Sequence, residues 1–500
     1  STARLGVDAR SALALVGTLV KLLSLTALVP LALALAYGER PWPFLAALGG
    51  GGVGGLALER LEPEHARVGF REGFLVVSLT WLAAALFGMV PYLLSGDPQL
   101  SHPVDALFES MSGFTTTGSS ILVDIEGIDR SLAMWRQLTQ WIGGMGIIVL
   151  ALAVLPRLQV GGRQLLETEL PGPELATLGE RIRQTAQRLW LLYVSLTALL
   201  ALTLAVVGWS GADGEMTVFD AVAHAFATMP TGGFSPRARS LEEFAGITQW
   251  VVIVFMTVAG VNFALLYRAL ARRRPQVLAR DEELRTYLIV LAAASALLTA
   301  VLYVEEIAGS HHAIRNGVFQ AVSIVTTTGF ASSNFNDWTT LATMTLVVLM
   351  FVGGSAGSTG GSVKVVRHLL VARSIRREVR LTVRPELVQP VRLNDAGVDE
   401  RVVRSVIGFV LLYLGTFVVG AAVLAVDTAA QGPELGMLEV IAAAATALGN
   451  VGPALGPEGP MGTFATLSAV SKLTLTALMW LGRLEIVPVL IVLSRRYWRV

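Results

Sequence analysis

The phrase SGFTTTGSS occupies Ser112–Ser120, and VTTTGFASS at Val325–Ser333 nearly repeats it. MPTGGFS at Met229–Ser235 and GNVGPALG at Gly449–Gly456 complete a set of four glycine phrases. None holds a nucleophile, a general acid or a metal-binding side chain. What they offer is backbone. Glycine lets the chain turn carbonyls toward a common axis with no side chain in the way. Threonine hydroxyls stiffen such a loop without adding a fixed charge. Four such loops around one axis form a ring of carbonyls, a known way to replace a cation's hydration shell. The residues expected to line it are Thr116, Thr117 and Gly118; Thr231 and Gly232; Thr327, Thr328 and Gly329; and Asn450, Val451 and Gly452. The fourth phrase departs from the threonine pattern, so the symmetry is approximate.

The elements that would position these phrases also recur. Each phrase follows a short apolar stretch: VDALFESMSGF, VFDAVAHAFATM, GVFQAVSIV or LEVIAAAATAL. These are too short to span a bilayer but suit re-entrant helices. Aligning Gly118, Gly232, Gly329 and Gly452 places Asp105, Asn316 and Glu439 thirteen residues upstream of three of them. In the second unit the acid is displaced by one, to Asp220. Asp or Asn there is expected to cap its short helix, and Glu439 to act as a first-turn acid. The helix C-termini would then aim their partial negative charge at the ion path. The outer acids Asp105, Glu109, Asp124, Glu126, Asp213, Glu215 and Asp220 would raise the local cation concentration, or serve as caps and solvated groups.

The composition sets the surroundings. Hydrophobic residues make up 53% of the 500 and charged residues 15%, well below the roughly one quarter usual in soluble domains. The chain is therefore expected to be solvated by a lipid bilayer. Candidate spans are 13–36, 43–58, 72–94, 134–155, 188–209, 246–267, 286–304, 340–370, 404–426 and 464–493. The first is too long for the apolar core of a signal peptide. Basic residues gather in 157–188, 268–285, 364–404 and at Arg495, Arg496 and Arg499, which places those segments and both termini in the cytoplasm. A net charge of +1 argues against a nucleic-acid partner, and zero cysteines exclude disulfides and thiolate metal sites. GGGG at Gly49–Gly52 lacks the Gly-Lys-Ser/Thr ending of a phosphate loop. His311 and His312 read as a solvated loop more readily than as a metal site.

Two features lie below the phrases. GGSAGSTGGSVK interrupts the apolar run 340–370, where a continuous helix would be costly. The segment reads as a kink, or as an irregular intramembrane loop able to open and close a path. Arg483 sits deep in an apolar run, where a lipid-facing charge is expensive. It pairs with Glu485, reaches the interface, or faces the ion path as an electrostatic barrier. Spacing of two on a helix disfavours the pairing.

The four phrases, WIGGMGIIVL at Trp141–Leu150, GGSAGSTGGSVKVVR at Gly353–Arg367 and WLGRLEI at Trp480–Ile486 resemble the Trk/Ktr/HKT superfamily of potassium transporters, most closely its bacterial TrkH branch. The resemblance covers nearly the whole chain. It implies an all-α integral membrane fold: four pseudo-repeats of helix, pore helix, filter loop and helix around a central ion path, preceded by two extra transmembrane helices. The units would be an N-terminal two-helix region at 1–68, repeats at 69–160, 161–275 and 276–395, the third with the intramembrane loop, and a last repeat at 396–500. The resemblance implies potassium uptake across the bacterial cytoplasmic membrane, with potassium held at the filter residues as substrate. It implies a gate formed by Gly353, Gly354, Ser355, Gly357, Gly360, Gly361, Lys364 and Arg483. No cofactor is expected in this chain. A homodimer and a cytosolic TrkA-like ring that binds nucleotide are the implied partners. No enzyme chemistry is expected. Coupling to sodium or protons, and a sodium-permeable relative of the same architecture, stay open.

Overall fold

The computed structural model describes residues 7–62, 69–154, 175–271, 273, 275–307, 309–386 and 389–498. Arg157, Arg163, Arg272, Arg274 and Arg499, the side chains of Arg181 and Arg183, and the boundaries expected at 68 and 160 lie outside the described residues. The fold is all-α. Its strands among the described residues are two dipeptides, Arg392–Leu393 and Ala396–Gly397, paired antiparallel.

The chain opens with α1 (Ala9–Ser24), a short 3-10 turn, α2 (Leu28–Tyr37) and α3 (Trp42–Glu59). α1 and α3 pack closely because glycines face each other. A side chain on Gly55 would put its first carbon 2.6 Å from Gly17 O, and one on Gly51 would meet Ser24 and Phe87 at 2.8 Å. Lys21 pairs with Glu59 at 2.5 Å across this contact. The glycines of GGGG thus lie within a helix.

Four units follow. The first holds α4 (Phe70–Leu94), short α5 (Pro103–Phe114), a loop, and α6 (Arg130–Val154). The second holds α7 (Leu175–Trp209), short α8 (Val218–Thr228), a loop, then α9 (Gly246–Ala259) and α10 (Phe263–Ala271). The third holds α11 (Glu282–Val304), short α12 (Ser310–Val325), a loop, α13 (Thr340–Leu349), an irregular stretch, and α14 (Val365–Val383). The fourth holds α15 (Glu400–Gln431), short α16 (Met437–Gly449), a loop, α17 (Ala469–Arg483) and α18 (Val487–Leu493). Among the described residues, five helical segments are long and apolar enough to cross a membrane, and bent pairs raise the number to as many as seven.

Besides the interruption of 340–370 expected from its glycines, two expected spans are broken. α9 and α10 meet at 98°, and α17 and α18 at 111°. At the first break Asn262 accepts from Ala264 N and Leu265 N at 2.9 and 3.1 Å, which starts a new helix. At the second, Glu485 and Ile486 take positive φ of 57° and 61°, and Pro488 follows in the first turn of α18. Apolarity alone does not register such turns.

The residues expected as caps sit inside their helices. His102 caps α5 and Thr217 caps α8, with Asp105 and Asp220 in the first turns behind them. Glu439 lies in the first turn of α16 as expected, accepting from Gly436 N at 2.6 Å. Asn316 lies inside α12 and accepts from Ser332 Oγ at 3.1 Å. The thirteen-residue spacing therefore marks the first turn of three short helices and the second turn of α12, not the caps expected at Asp105, Asp220 and Asn316.

Candidate functional site

Each short helix ends by folding its chain back on itself. Thr117 N, Gly232 N, Thr328 N and Val451 N donate to the carbonyls of Ser112, Ala227, Ser323 and Thr446, five residues earlier, at 2.8–2.9 Å. The residue before each donor has positive φ: Thr116 52°, Thr231 56°, Thr327 59° and Asn450 53°. The residue after each donor is a positive-φ glycine: Gly118 87°, Gly233 77°, Gly329 83° and Gly452 113°. The four loops thus share one backbone trace.

This trace corrects the register expected in the second loop. Gly233, not Gly232, stands with Gly118, Gly329 and Gly452, and Gly232 takes the place of Thr117, Thr328 and Val451. With Gly233 in position, Asp220 is thirteen residues upstream like its counterparts, and the apparent displacement disappears. One open cavity touches Gly118, Gly233, Gly329 and Gly452 together.

The loops close into a ring in chain order. A first side-chain carbon on Gly118 would stand 2.2 Å from Gly232 O, on Gly233 2.0 Å from Thr328 O, on Gly329 2.0 Å from Val451 O, and on Gly452 2.7 Å from Thr117 O. Asn450 Nδ2 spans the seam between last and first loops, donating to Thr117 Oγ1 and Met479 O at 3.0 Å each. Ser119 Oγ donates to Gly452 O at 2.7 Å, and Gln140 Nε2 to Gly232 O at 2.6 Å. These two carbonyls are therefore held by the protein. Among the described residues, no donor reaches the carbonyls of Thr116, Thr117, Thr231, Thr327, Thr328, Asn450 or Val451, although all seven residues are buried. Buried carbonyls without a partner are uncommon in folded proteins. Here they recur on all four loops.

The glycine-rich stretch of the third unit lies directly beneath. α13 ends at Leu349, and the chain stays irregular until Val365. Gly353 N donates to Val363 O and Val365 N to Gly354 O, which closes the base of the stretch. Its upper side meets the ring: Gly361 N donates to Thr327 Oγ1 at 2.7 Å, and Thr359 Oγ1 to Met229 O at 3.0 Å. Its flank docks into the α9–α10 break, where Ser355 N donates to Gly260 O and Phe263 N to Gly357 O. Lys364 Nζ is buried and donates to Gly360 O. Glu283 of α11 accepts from Ala356 N at 2.5 Å.

Arg483 is buried and does not pair with Glu485. Its guanidinium donates to Thr359 O at 2.9 Å and to Gly143 O at 3.1 Å, joining the fourth unit to the irregular stretch and to α6. Glu485 instead pairs with Arg367 at 2.5 Å, and Arg367 lies 3.9 Å over Phe409. The expected gate residues are thus in one place, below the ring.

Several of the outer acids are engaged. Glu109 is buried and pairs with Arg136 at 2.7 Å, Asp220 with Arg237 at 2.9 Å and Asp105 with Lys472 at 2.6 Å. Asp213 accepts from Thr248 Oγ1 and Ala245 N. Glu109 and Asp220 brace the loops, Asp105 ties α5 to α17, and Asp213 holds the start of α9. Among the described residues no cluster of three metal-binding side chains occurs, and His311 and His312 are exposed. Sequence reasoning missed Gly233, Arg136 and Gln140. Counting thirteen back to Asp220 would have found the first. A charge and an amide inside the apolar run of α6 were the signal for the others.

Residues 53–499 match the family described as TrkH, cation transport protein. The chain belongs to that family. It is 35% identical over 497 residues to the Trk system potassium uptake protein TrkH of Halomonas elongata, covering 98% of this chain and 99% of the relative. It is 36% identical over 493 residues to TrkH of Escherichia coli K12, covering 97% and 98%. The crystal structure of the potassium transporter TrkH from Vibrio parahaemolyticus superposes with a TM-score of 0.87 at 33% identity, covering 99% of this chain and 100% of that one. Like the apolar helices, this membership makes the chain a multi-pass membrane protein with the TrkH fold.

Proposed function

We propose that this chain takes up potassium across a bacterial cytoplasmic membrane through a channel-like filter and an inner gate. The observation that carries the reading is the ring of buried, donorless carbonyls on four like loops. Such oxygens can replace water around a cation without a fixed charge that would trap it. The names of the relatives in Halomonas and Escherichia supply the ion, potassium. The filter comprises Thr116, Thr117, Gly118, Thr231, Gly232, Thr327, Thr328, Gly329, Asn450, Val451 and Gly452, with Gly233 added. Gly353–Gly361, Lys364 and Arg483 form the gate beneath it.

The wider assignment follows. Both termini lie in the cytoplasm. Two copies associate, each with its own path, and a TrkA-like ring carrying nucleotide docks on the basic cytoplasmic surface. The chain itself uses no cofactor and is not an enzyme. The five segments proposed from sequence remain its working units. The membrane potential supplies about 2.3 kcal/mol per charge per 100 mV, so passive flow through an open path accumulates the ion.

The deciding experiment is flux in liposomes holding the purified chain, with potassium, rubidium and sodium compared at an imposed voltage. Voltage-driven potassium flux that ignores pH and sodium gradients is the expected result. Flux that tracks either gradient would replace the channel with a coupled transporter, and equal sodium flux would overturn potassium selection.

A further inference from the structure

Nine residues before the four loop glycines stand Glu109, His224, Gln320 and Ala443. Three of these side chains reach back to the segment just beyond the glycine. Glu109 accepts from Ser120 Oγ and Ile121 N at 3.0 Å each. His224 Nε2 lies 3.0 Å from Ser235 Oγ, and Gln320 Nε2 donates to Phe330 O at 3.2 Å. Ala443 has no group to do so.

The first of these ties differs from the others because it is an ion pair joining two loops. Arg136 Nε donates to Glu109 Oε1 at 2.7 Å, and both side chains are buried, at 1% and 0% exposure. The same guanidinium donates to Ser120 Oγ at 3.1 Å in the first loop and to Ser235 O at 3.3 Å in the second. It also lies 4.1 Å over the ring of Phe234. A buried ion pair is a weak stabilising device, because desolvation offsets much of the attraction. A planar five-donor fork is well suited to holding several acceptors in fixed relation.

The fork lines the same cavity as Gly118 and Gly233 and ties the residues two positions beyond each of them, Ser120 and Ser235. Cation discrimination depends on the spacing and stiffness of the ring oxygens. Resting on the reading of the four loops as an ion path, we propose that Glu109 and Arg136 are positioning residues that fix the first strand against the second and thereby set discrimination between potassium and the smaller sodium ion. Neither touches the ion. They act through the backbone they hold.

The test is potassium and sodium flux through the purified full chain in liposomes at fixed voltage. The double variant Glu109→Gln with Arg136→Gln removes both charges together and leaves no lone buried charge. Its potassium-over-sodium ratio is expected to fall about tenfold, equivalent to about 1.4 kcal/mol. Arg136→Lys keeps the charge and loses the fork, with an expected fall of about threefold. In both variants sodium flux rises relative to potassium flux in the same vesicles, a change that simple loss of folded protein does not produce. A wild-type ratio in either folded variant overturns the proposal. Failure of the wild-type chain itself to carry potassium overturns the ion path instead.

Discussion

Gly118 has room for no side chain. Its φ of 87° is a left-handed conformation, and any first carbon would meet Gly232 O at 2.2 Å. Gly118→Ser must push the first strand away from the second, so the potassium-over-sodium flux ratio should fall by about tenfold, the scale of a 1.4 kcal/mol change. An unaltered ratio in folded protein would remove Gly118 from the filter. Arg483 makes its case through its partners. It holds Thr359 O and Gly143 O together beneath the ring, and on the proposed ion path its charge would oppose a cation there. Arg483→Ala should therefore raise flux in the closed state severalfold. Equal basal flux in wild type and variant would leave Arg483 a purely structural bridge.

At the scale of elements, the irregular stretch between α13 and α14 is held by individual hydrogen bonds to several neighbouring elements, not by a helical ladder. Such a segment can exchange one set of partners for another at modest cost, since each neutral hydrogen bond is worth about 0.5–1.5 kcal/mol net. Glu283 on α11 supplies one tether, through Ala356 N. Glu283→Ala should loosen the stretch and raise closed-state flux with the ion ratio unchanged, because the ring above keeps its own bonds. A changed ion ratio would mean that stretch and ring are one mechanical unit. The broken pairs α9–α10 and α17–α18 serve the same region. The first opens a notch into which the stretch docks, and the second turns the chain just after Arg483. Apolar runs at 246–267 and 464–493 look continuous in sequence because a turn inside protein needs only two or three permissive residues, and their partners are far away along the chain.

For the whole molecule, one buried carboxyl outside the spanning helices makes stability depend on pH. Glu458 lies in the loop between α16 and α17, outside the spanning helices, and burial pushes its carboxyl up to about 7, with the Glu439 carboxylate adding to the effect. A carboxyl whose value is raised in the fold contributes stability below its ordinary 4.5, and that contribution is lost as pH rises through about 7. The melting temperature of the detergent-solubilised protein should fall across this window, and Glu458→Gln should flatten the fall. An identical pH profile in the variant would assign the dependence to another group.

The sequence by itself determined the helical membrane character, the number of loops and the place of the glycine-rich stretch. Those properties are local: hydropathy, helix propensity and the freedom of glycine act within a few residues. The tertiary structure decided the register of the second loop, where Gly233 takes the positive φ and approaches Thr328 O while Gly232 O faces Gly118, an order that the thirteen-residue spacing to Asp220 matches but that two adjacent glycines leave open to local preference alone. It likewise decided that Glu109 and Asp220 brace the loops, that Asp105 ties α5 to α17, that Arg483 serves Thr359 and Gly143, and that Glu485 belongs to Arg367. Asp105–Lys472 and Arg367–Glu485 join residues far apart along the chain, brought together by closure of the whole ring, and no stretch of sequence carries that information alone.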